Sequence, residues 1–500
     1  MLYISTRGNY HHVTASQAIT LGMVPESGLF VPQKIPVVDY ANTTQCSYQE
    51  LAELVLKPYL SDFTNNEIKW CIDSAYNSNN FDSDSIIKTI DLCQNMSIME
   101  LWHGPTAAFK DIALQIMPNF LQLAKKKSGN KSHTIILVAT SGDTGKAALE
   151  GFKNSEGISI IVFYPHQGVS EIQKLQMDTT DGNNTHVIAV KGNFDDCQTG
   201  VKQLFSDVAL RQKLEINGFE FSSANSINWG RLCPQIVYYF KSYIDLVESG
   251  KIKIGQRINY CIPTGNFGNI LAGFYAKKMG LPINKLICAS NKNRVLSDFF
   301  SSGVYNSNRE FFRTISPSMD ILISSNLERF LFEITGHDSD KVFSWYDSLY
   351  KNSQFTVDQT TIETINSTIV SGWIDENQIL STIRQTYEKT GYIMDTHTSV
   401  GVALCKQPGF NDCHTVVAST ASPYKFSCDV LKGIENVNSV GEFESIVKIS
   451  ELSRTPVHRA LANLRNRPVN HNKVIEPGDM ENAVLDIIDS LHASSKGQNV

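Results

Sequence analysis

Thr134-Ile-Ile-Leu-Val-Ala-Thr-Ser-Gly-Asp-Thr-Gly-Lys-Ala-Ala-Leu-Glu-Gly-Phe152 passes from a continuous apolar run, through a glycine loop, into a helix-forming segment. An apolar run of this length bounded by loop residues reads as a strand buried on both faces, which is the habit of parallel sheets covered by helices. The alternation continues outward. Ile158-Ser-Ile-Ile-Val-Phe-Tyr164 is the next buried strand, a helix is expected from Ser170, His186-Val-Ile-Ala-Val190 is another strand, and Asp195 to Phe205 is helical in pattern. The rhythm resumes with an amphipathic stretch from Arg231 to Val247, strand Ile258–Ile262, helix Asn269–Met279, strand Lys285–Ala289 and a short strand Thr415–Ser419. This is an α/β chain with open parallel sheets.

Residues 1–95 read differently, with short mixed segments, the turn Pro25-Glu-Ser-Gly28 and a polar stretch from Tyr76 to Ser85, and are expected to form an N-terminal cap domain. A catalytic region over 96–430, with a smaller lobe at about 134–225, and a C-terminal extension over 431–500 complete the expected organisation. Between about Ser301 and Gln385 the sequence turns polar and irregular, though Ile323 to Glu333 ends in a helical pattern, and Ala493 to Val500 reads as a frayed tail.

The 500 residues are 42% hydrophobic and 19% charged, ample for several buried cores. A net charge of -6 without a dense basic tract argues against nucleic acid or an anionic membrane as partner. Lys125-Lys-Lys127 reads as helix C-terminal cations rather than a binding patch. No secretory signal and no membrane-spanning run is apparent, and ten scattered cysteines without a C-x-x-C pair suit reduced thiols, so a cytoplasmic location is expected. Structural zinc is unsupported, and His11-His12 has no partner at metal spacing.

Chemistry concentrates where strands end, the place where open α/β sheets bind ligands. Pro263-Thr-Gly-Asn-Phe-Gly-Asn269 follows a strand and opens a helix; its glycines permit close backbone approach to a phosphate, although a plain strand-to-helix turn has the same pattern. Thr140-Ser-Gly-Asp-Thr-Gly145 adds hydroxyls and suits a carboxylate, with Asp143 readable either as a contact or as a cap of the following helix. Ser419-Thr-Ala-Ser-Pro-Tyr-Lys-Phe426 trails a third strand and is either a further ligand segment or a turn. Lys110, in Leu101-Trp-His-Gly-Pro-Thr-Ala-Ala-Phe-Lys-Asp111, has a stem among small and aromatic residues, where partial burial favours the neutral, nucleophilic amine. Alone it is equally a helix lysine reaching for solvent; two downstream glycine loops point to a phosphorylated carbonyl cofactor.

Taken in order, Lys110, Ser141-Gly-Asp-Thr-Gly145, Gly265-Asn-Phe-Gly268 and Thr420 resemble the motifs of bacterial and fungal threonine synthases. The likeness runs from Thr6-Arg7 and Gly28-Leu-Phe30 to about Phe426, and its most specific pieces include His103-Gly-Pro-Thr106, Phe109-Lys-Asp111 and Ser223-Ala-Asn-Ser-Ile-Asn228. The resemblance implies a pyridoxal 5'-phosphate (PLP) lyase of fold type II, the tryptophan-synthase β-like fold, with two open parallel-sheet lobes. It implies that O-phospho-L-homoserine and water are converted to L-threonine and phosphate, by a monomer or small homo-oligomer.

Carried over by position, the resemblance makes Lys110 the covalent anchor of the cofactor and the proton shuttle, and Gly265, Asn266, Phe267, Gly268 and Asn269 the phosphate cup. Thr420 meets the pyridine nitrogen, and Asp143 lies at the cofactor's ring substituents. Ser141, Gly142 and Thr144 hold the substrate carboxylate. Lys174, Asn225, Ser226, Asn228 and Arg231 serve the leaving phosphate, with Lys425 a weaker addition; Arg231 is equally readable as a helix arginine paired with a carboxylate. Two rival readings share these features: a related phospholyase that releases 2-oxobutyrate, ammonia and phosphate, and a non-catalytic PLP-binding protein.

Overall fold

Ile258–Pro263, Thr415–Ser419 and Met96–Glu100 lie side by side and parallel at the centre of a six-stranded sheet. Its order is Ile369–Trp373, Ile283–Ser290, Ile258–Pro263, Thr415–Ser419, Met96–Glu100 and Lys88–Cys93, and only the last edge strand is antiparallel. The computed structural model describes residues 1–410, 413–436 and 440–497, with side chains described to residue 493. The three central strands are buried along their whole length, because helices cover both faces and leave no place for polar alternation. Their register is functionally decisive. Ser419 pairs with Glu100, and Val417 pairs with Cys261, two residues before the end of each strand. The loops that begin at Leu101, Thr264 and Thr420 therefore leave the same sheet edge as neighbours.

This sheet belongs to a unit made of Met1–Ala124 and Ser226–Ala462. Residues 1–95 contribute to that unit the helices Ala15–Leu21, Tyr48–Leu56 and Asn65–Ala75, each started by a threonine or serine in a reciprocal capping box. The second unit comprises Lys125–Asn225 and Asn463–Val500. It is built on five parallel strands in the order Lys473–Ile475, Thr185–Val190, Ile158–Pro165, His133–Ala139 and Phe219–Ser222.

Residues 431–500 thus divide between the two units at Ala462/Asn463. Lys473–Ile475 extends the smaller sheet, and Met480, Ala483, Val484 and Ile488 of the final helix, Met480–Gly497, complete its core against Val190, Cys197 and Val201. The tail expected to fray from Ala493 continues this helix to Gly497; residues 498–500 lie outside the described residues.

Two expectations are corrected. The stretch from Arg231 to Val247 is not one helix: Trp229–Leu232 stops, and Gln235–Glu248 begins just after Pro234, which has no N–H for a continuous helix ladder. Residues 301–385 are not irregular. The helical pattern expected to end at Glu333 is the helix Leu327–Ile334, and the unexpected helices are Ser339–Asn352, Gln359–Thr368 and Glu376–Thr390. Their polar composition hides narrow apolar stripes, such as Val342, Trp345, Tyr346 and Leu349, and the starts are marked by Asp338, Asp358 and Asp375 as N-caps.

Because Met480 fills the smaller core, Met480→Ala is expected to cost about 2–5 kcal/mol. Hydrogen exchange should quicken in Ile158–Pro165 and Thr185–Val190 while the central strands of the six-stranded sheet stay protected.

Candidate functional site

Lys110 opens the helix Lys110–Leu114, and the chain before it is aimed by backbone bonds to the segment after Ser419. Leu101 N–H donates to Ser419 O (3.0 Å), Phe109 N–H to Thr420 O (2.9 Å) and Ser422 N–H to Ala107 O (3.1 Å), with Ala108 and Ala421 forming an antiparallel bridge. Ala107 reaches this bridge with φ +60°, a left-handed conformation that costs a non-glycine residue about 1–3 kcal/mol. Behind it, buried Asp111 accepts from Thr106 N–H (2.9 Å) and Thr106 Oγ1 (2.7 Å), and Lys425 Nζ donates to Thr106 O (3.1 Å). Burial outweighs those hydrogen bonds and pushes the Asp111 carboxyl up to about 6. Lys110 itself is half-buried, with Nζ 4.9 Å from the centre of the Phe109 ring.

The loop 263–269 is shaped by steric need. A Cβ at Gly265 would lie 2.6 Å from Ser318 O, so only glycine lets the two backbones approach. Phe267 takes φ +63° at the start of helix Gly268–Lys278, and its ring is wedged between Phe300 and Phe330. No side chain caps this helix among the described residues, so its first amides and the positive end of its dipole are available to an anion. Asn269 Oδ1 accepts from Tyr238 OH (2.8 Å) and Tyr239 OH (2.7 Å), which turns Nδ2 the other way; that buried amide has no protein partner among the described residues. Ser422 Oγ is buried and unpartnered in the same sense. Unspent buried donors are costly in a finished fold and ordinary in a ligand site.

A third layer holds the loop from behind and was not anticipated from the sequence. Asn326 donates its backbone N–H and its Nδ2 to Asn266 O (both 3.1 Å), and Ser324 Oγ donates to Gly265 O (2.8 Å). Asn326 Oδ1 is in turn gripped by the fully buried Arg329 (2.7 Å), which also donates to Phe30 O (2.8 Å) and Ile227 O (2.5 Å). Adjacent Glu328 binds Arg7 at 3.0 Å and Thr6 Oγ1 at 2.6 Å. An arginine and a glutamate inside Leu327-Glu-Arg-Phe-Leu-Phe332 were the available signal, since charges on an otherwise apolar helix need buried partners.

Of the residues expected at the leaving phosphate, Asn228 spends its side chain inside the fold: Oδ1 accepts from Gly230 N–H and Nδ2 donates to Ile19 O. Arg231 is buried on the helix Trp229–Leu232, which packs against the helices starting at Lys110 and Gly268; burial lowers its guanidinium to about 10, still charged at neutral pH. Ser226 O and Oγ accept from Asn326 Nδ2 at 3.3 and 3.4 Å.

In the smaller unit, Thr140 Oγ1 accepts from Gly142 N–H (3.0 Å) and Gly145 N–H (2.9 Å), which folds the loop over its own hydroxyl. Gly142 sits at φ +139°, and a Cβ there would strike Gln173 at 2.5 Å. Gln173 Nε2 donates to Asp143 Oδ1 (3.0 Å), so Asp143 is held by a glutamine that no motif in the sequence marks. Ser141 is exposed and Thr144 half-buried, Asn225 closes this unit's chain, and Lys174 pairs with Asp178 one turn along its helix. No cluster of three metal-ligating side chains and no helix long and apolar enough to cross a membrane occurs among the described residues.

Residues 2–76 match the family model described as the threonine synthase N terminus. Over 96% of this chain and 96% of its own, threonine synthase of Saccharomyces cerevisiae is 34% identical. The chain belongs to the threonine synthase family. The crystal structure of PLP-bound threonine synthase from Brucella melitensis superposes with a TM-score of 0.86 at 33% identity, covering 97% of this chain and 98% of that one, and the shared fold is fold type II of the PLP enzymes. Threonine synthase-like 1 of Macaca fascicularis is 38% identical over 89% of this chain, which spans 62% of that relative's length.

A carboxyl whose folded value is raised favours the fold most when protonated. The Asp111 contribution is therefore complete below its ordinary value near 4 and is lost as pH rises through about 6. Between pH 5 and 7.5, the wild-type chain should lose stability relative to Asp111→Asn, measured as the difference in denaturant midpoints.

Proposed function

We propose that this family member is a threonine synthase, a PLP-dependent lyase that converts O-phospho-L-homoserine and water to L-threonine and phosphate. The observation that carries the reading is the shared sheet edge, where three adjacent parallel strands deliver Lys110, the uncapped helix start at Gly268 and Thr420 side by side. The residues present fit the cofactor: an amine for its carbonyl carbon, an anion cradle with a spare buried amide for its phosphate, and a hydroxyl in place of a charged partner for its ring nitrogen. Lys110 would hold the cofactor covalently, Gly265 to Asn269 would hold its phosphate and Thr420 would meet its ring. Bound there, the cofactor supplies an electron sink for carbanions next to the substrate's amino group.

The chain's own groups then supply positioning and proton transfer. Once the substrate amine had displaced it, Lys110 Nζ would take protons from Cα and Cβ, return one at Cγ after phosphate had left, and return the other at Cα after water had added its hydroxyl at Cβ, the proton from water leaving with the phosphate. Ser141, Gly142 and Thr144 would bind the substrate carboxylate, and Asp143, which accepts from Gln173, is assigned to the ring substituents. Arg231 is assigned to the leaving phosphate with Asn225 and Ser226, because its guanidinium offers fixed paired donors to phosphate oxygens. Lys174 serves there only by leaving Asp178, and Asn228 acts by capping the helix that carries Arg231.

Purified protein loaded with PLP and given O-phospho-L-homoserine should release threonine and phosphate in equal amounts. Formation of 2-oxobutyrate and ammonia instead would replace the synthase with a phospholyase, and absence of turnover would leave a binding protein. Lys110→Ala should abolish both turnover and the absorption band of lysine-bound cofactor. Arg231→Ala should raise KM for the phosphorylated substrate at least tenfold while cofactor affinity changes little, a loss on the order of one charged hydrogen-bond pair.

A further inference from the structure

His103 is buried between two carboxylates: Nδ1 lies 2.7 Å from Asp82 Oδ1 and Nε2 lies 3.0 Å from Glu100 Oε2. Ionised carboxylates only accept hydrogen bonds, so both ring nitrogens must donate and the ring is an imidazolium. Burial opposes that charge, but the bonds to Asp82 and Glu100 outweigh it and hold the His103 pKa above its ordinary value. Tyr392 OH donates to the other oxygen of Glu100 (2.9 Å). His458 Nε2 lies 3.2 Å from Asp82 Oδ2 without hydrogen-bond geometry, and burial pushes this second histidine down to about 4, leaving it neutral.

The indole of Trp102 stacks on the His103 ring with centres 4.4 Å apart and planes inclined by 27°. A cation against an indole face is attractive and stiffens the ring pair. From the other end of this platform, Trp102 Nε1 donates to Ser419 Oγ (3.0 Å), which also accepts from Thr398 Oγ1 (2.9 Å). Ser419 directly precedes Thr420, whose carbonyl receives Phe109 N–H beside Lys110. The segment after helix Glu442–Ser453 closes the arrangement from outside: Tyr424 OH donates to Thr455 O (3.1 Å), and His458 meets the edge of the Trp102 ring (6.1 Å).

We propose that His103, charged between Glu100 and Asp82 and stacked on Trp102, is a positioning residue for the cofactor end of the site, acting through the Trp102 indole N–H on Ser419 and thereby on Thr420 and the Lys110 loop. The inference rests on the cofactor-binding reading above. Neither His103 nor Trp102 takes part in the chemistry; they set where the ring's hydroxyl partner and the lysine stand.

Trp102→Phe, which deletes only the indole N–H contact and keeps the stack, and His103→Gln, which deletes the charge, test this in the PLP-loaded enzyme. Both are expected to trap one cofactor on Lys110 by borohydride reduction, counted by mass spectrometry, and to shift the absorption maximum of the bound cofactor. kcat should fall about tenfold with KM for O-phospho-L-homoserine unchanged. Unaltered spectrum and kcat in Trp102→Phe would overturn the proposal, as would losses in both variants that merely follow a lowered Tm. If His103→Gln does not fold, Trp102→Phe carries the test alone. A wild-type enzyme that binds PLP but forms no threonine removes the proposed reaction and leaves the spectral comparison to decide the positioning; one that binds no PLP removes both.

Discussion

The antiparallel bridge between Ala108 and Ala421 is the contact on which the larger unit's site depends. It joins two loops about 310 residues apart in sequence through main-chain atoms, so neither loop can move without the other. Buried amide bonds of this kind add only about 0.5–1.5 kcal/mol each to stability, yet leaving one unmade costs about 1–3 kcal/mol. That asymmetry gives the arrangement one position rather than a range. The left-handed Ala107 is consistent with it, since the strain is tolerated only where surrounding bonds over-determine the backbone. The aim of Lys110 is thus set by peptide groups and by Thr106 between Asp111 and Lys425.

The loop that opens helix Gly268–Lys278 obeys the same logic with side chains in place of strands. Its carbonyls at Gly265 and Asn266 are both satisfied from behind, by Ser324 and Asn326, so its amides remain toward the ligand side. Asn326 is oriented by Arg329, a guanidinium that no carboxylate among the described residues meets directly and that three oxygen acceptors hold instead. Burial pulls it down to about 10, so it stays charged at neutral pH, and one acceptor is the carbonyl of Phe30. The likeness of Thr6-Arg7 and Gly28-Leu-Phe30 to the family therefore has a structural cause. Those residues complete the buried charges of helix Leu327–Ile334, and that helix backs the anion loop.

How much of this was readable from the chain follows from what each signal depends on. The strands Ile258–Ile262 and Thr415–Ser419 and their loops were legible because uninterrupted apolar runs followed by glycine or hydroxyl residues have few other readings in an α/β chain. The helices after Ile334 were not, because Gln359–Thr368, for one, buries only Thr361 and Ile365 and its polarity resembles a loop until Asp358 is seen as its cap. Arg329, Gln173 and the Glu100–His103–Asp82 group were invisible as partners because their contacts join positions that are 21 to 299 residues distant or depend on a rotamer. The order of pairing in the smaller sheet was equally hidden, since a three-residue strand at Lys473–Ile475 carries no periodicity of its own.

The two strand-to-helix loops look alike in sequence and differ in what they can bind. At Gly268 the helix start has no acid on it among its first residues, and a spare amide on Asn269 faces away from the tyrosines, so positive potential is uncompensated. At Asp143 the helix carries its own carboxylate in the first turn, and Thr140 Oγ1 consumes two of the loop's amides. A dianion would lose two donors there and face a like charge a few ångströms away. A monoanion that needs one or two amides and a hydroxyl would lose much less, which matches Ser141 exposed and Thr144 half-buried at the loop's surface. Local charge thus favours a dianion at the first loop and a monoanion at the second, and the difference turns on Asp143 being an acid held by Gln173.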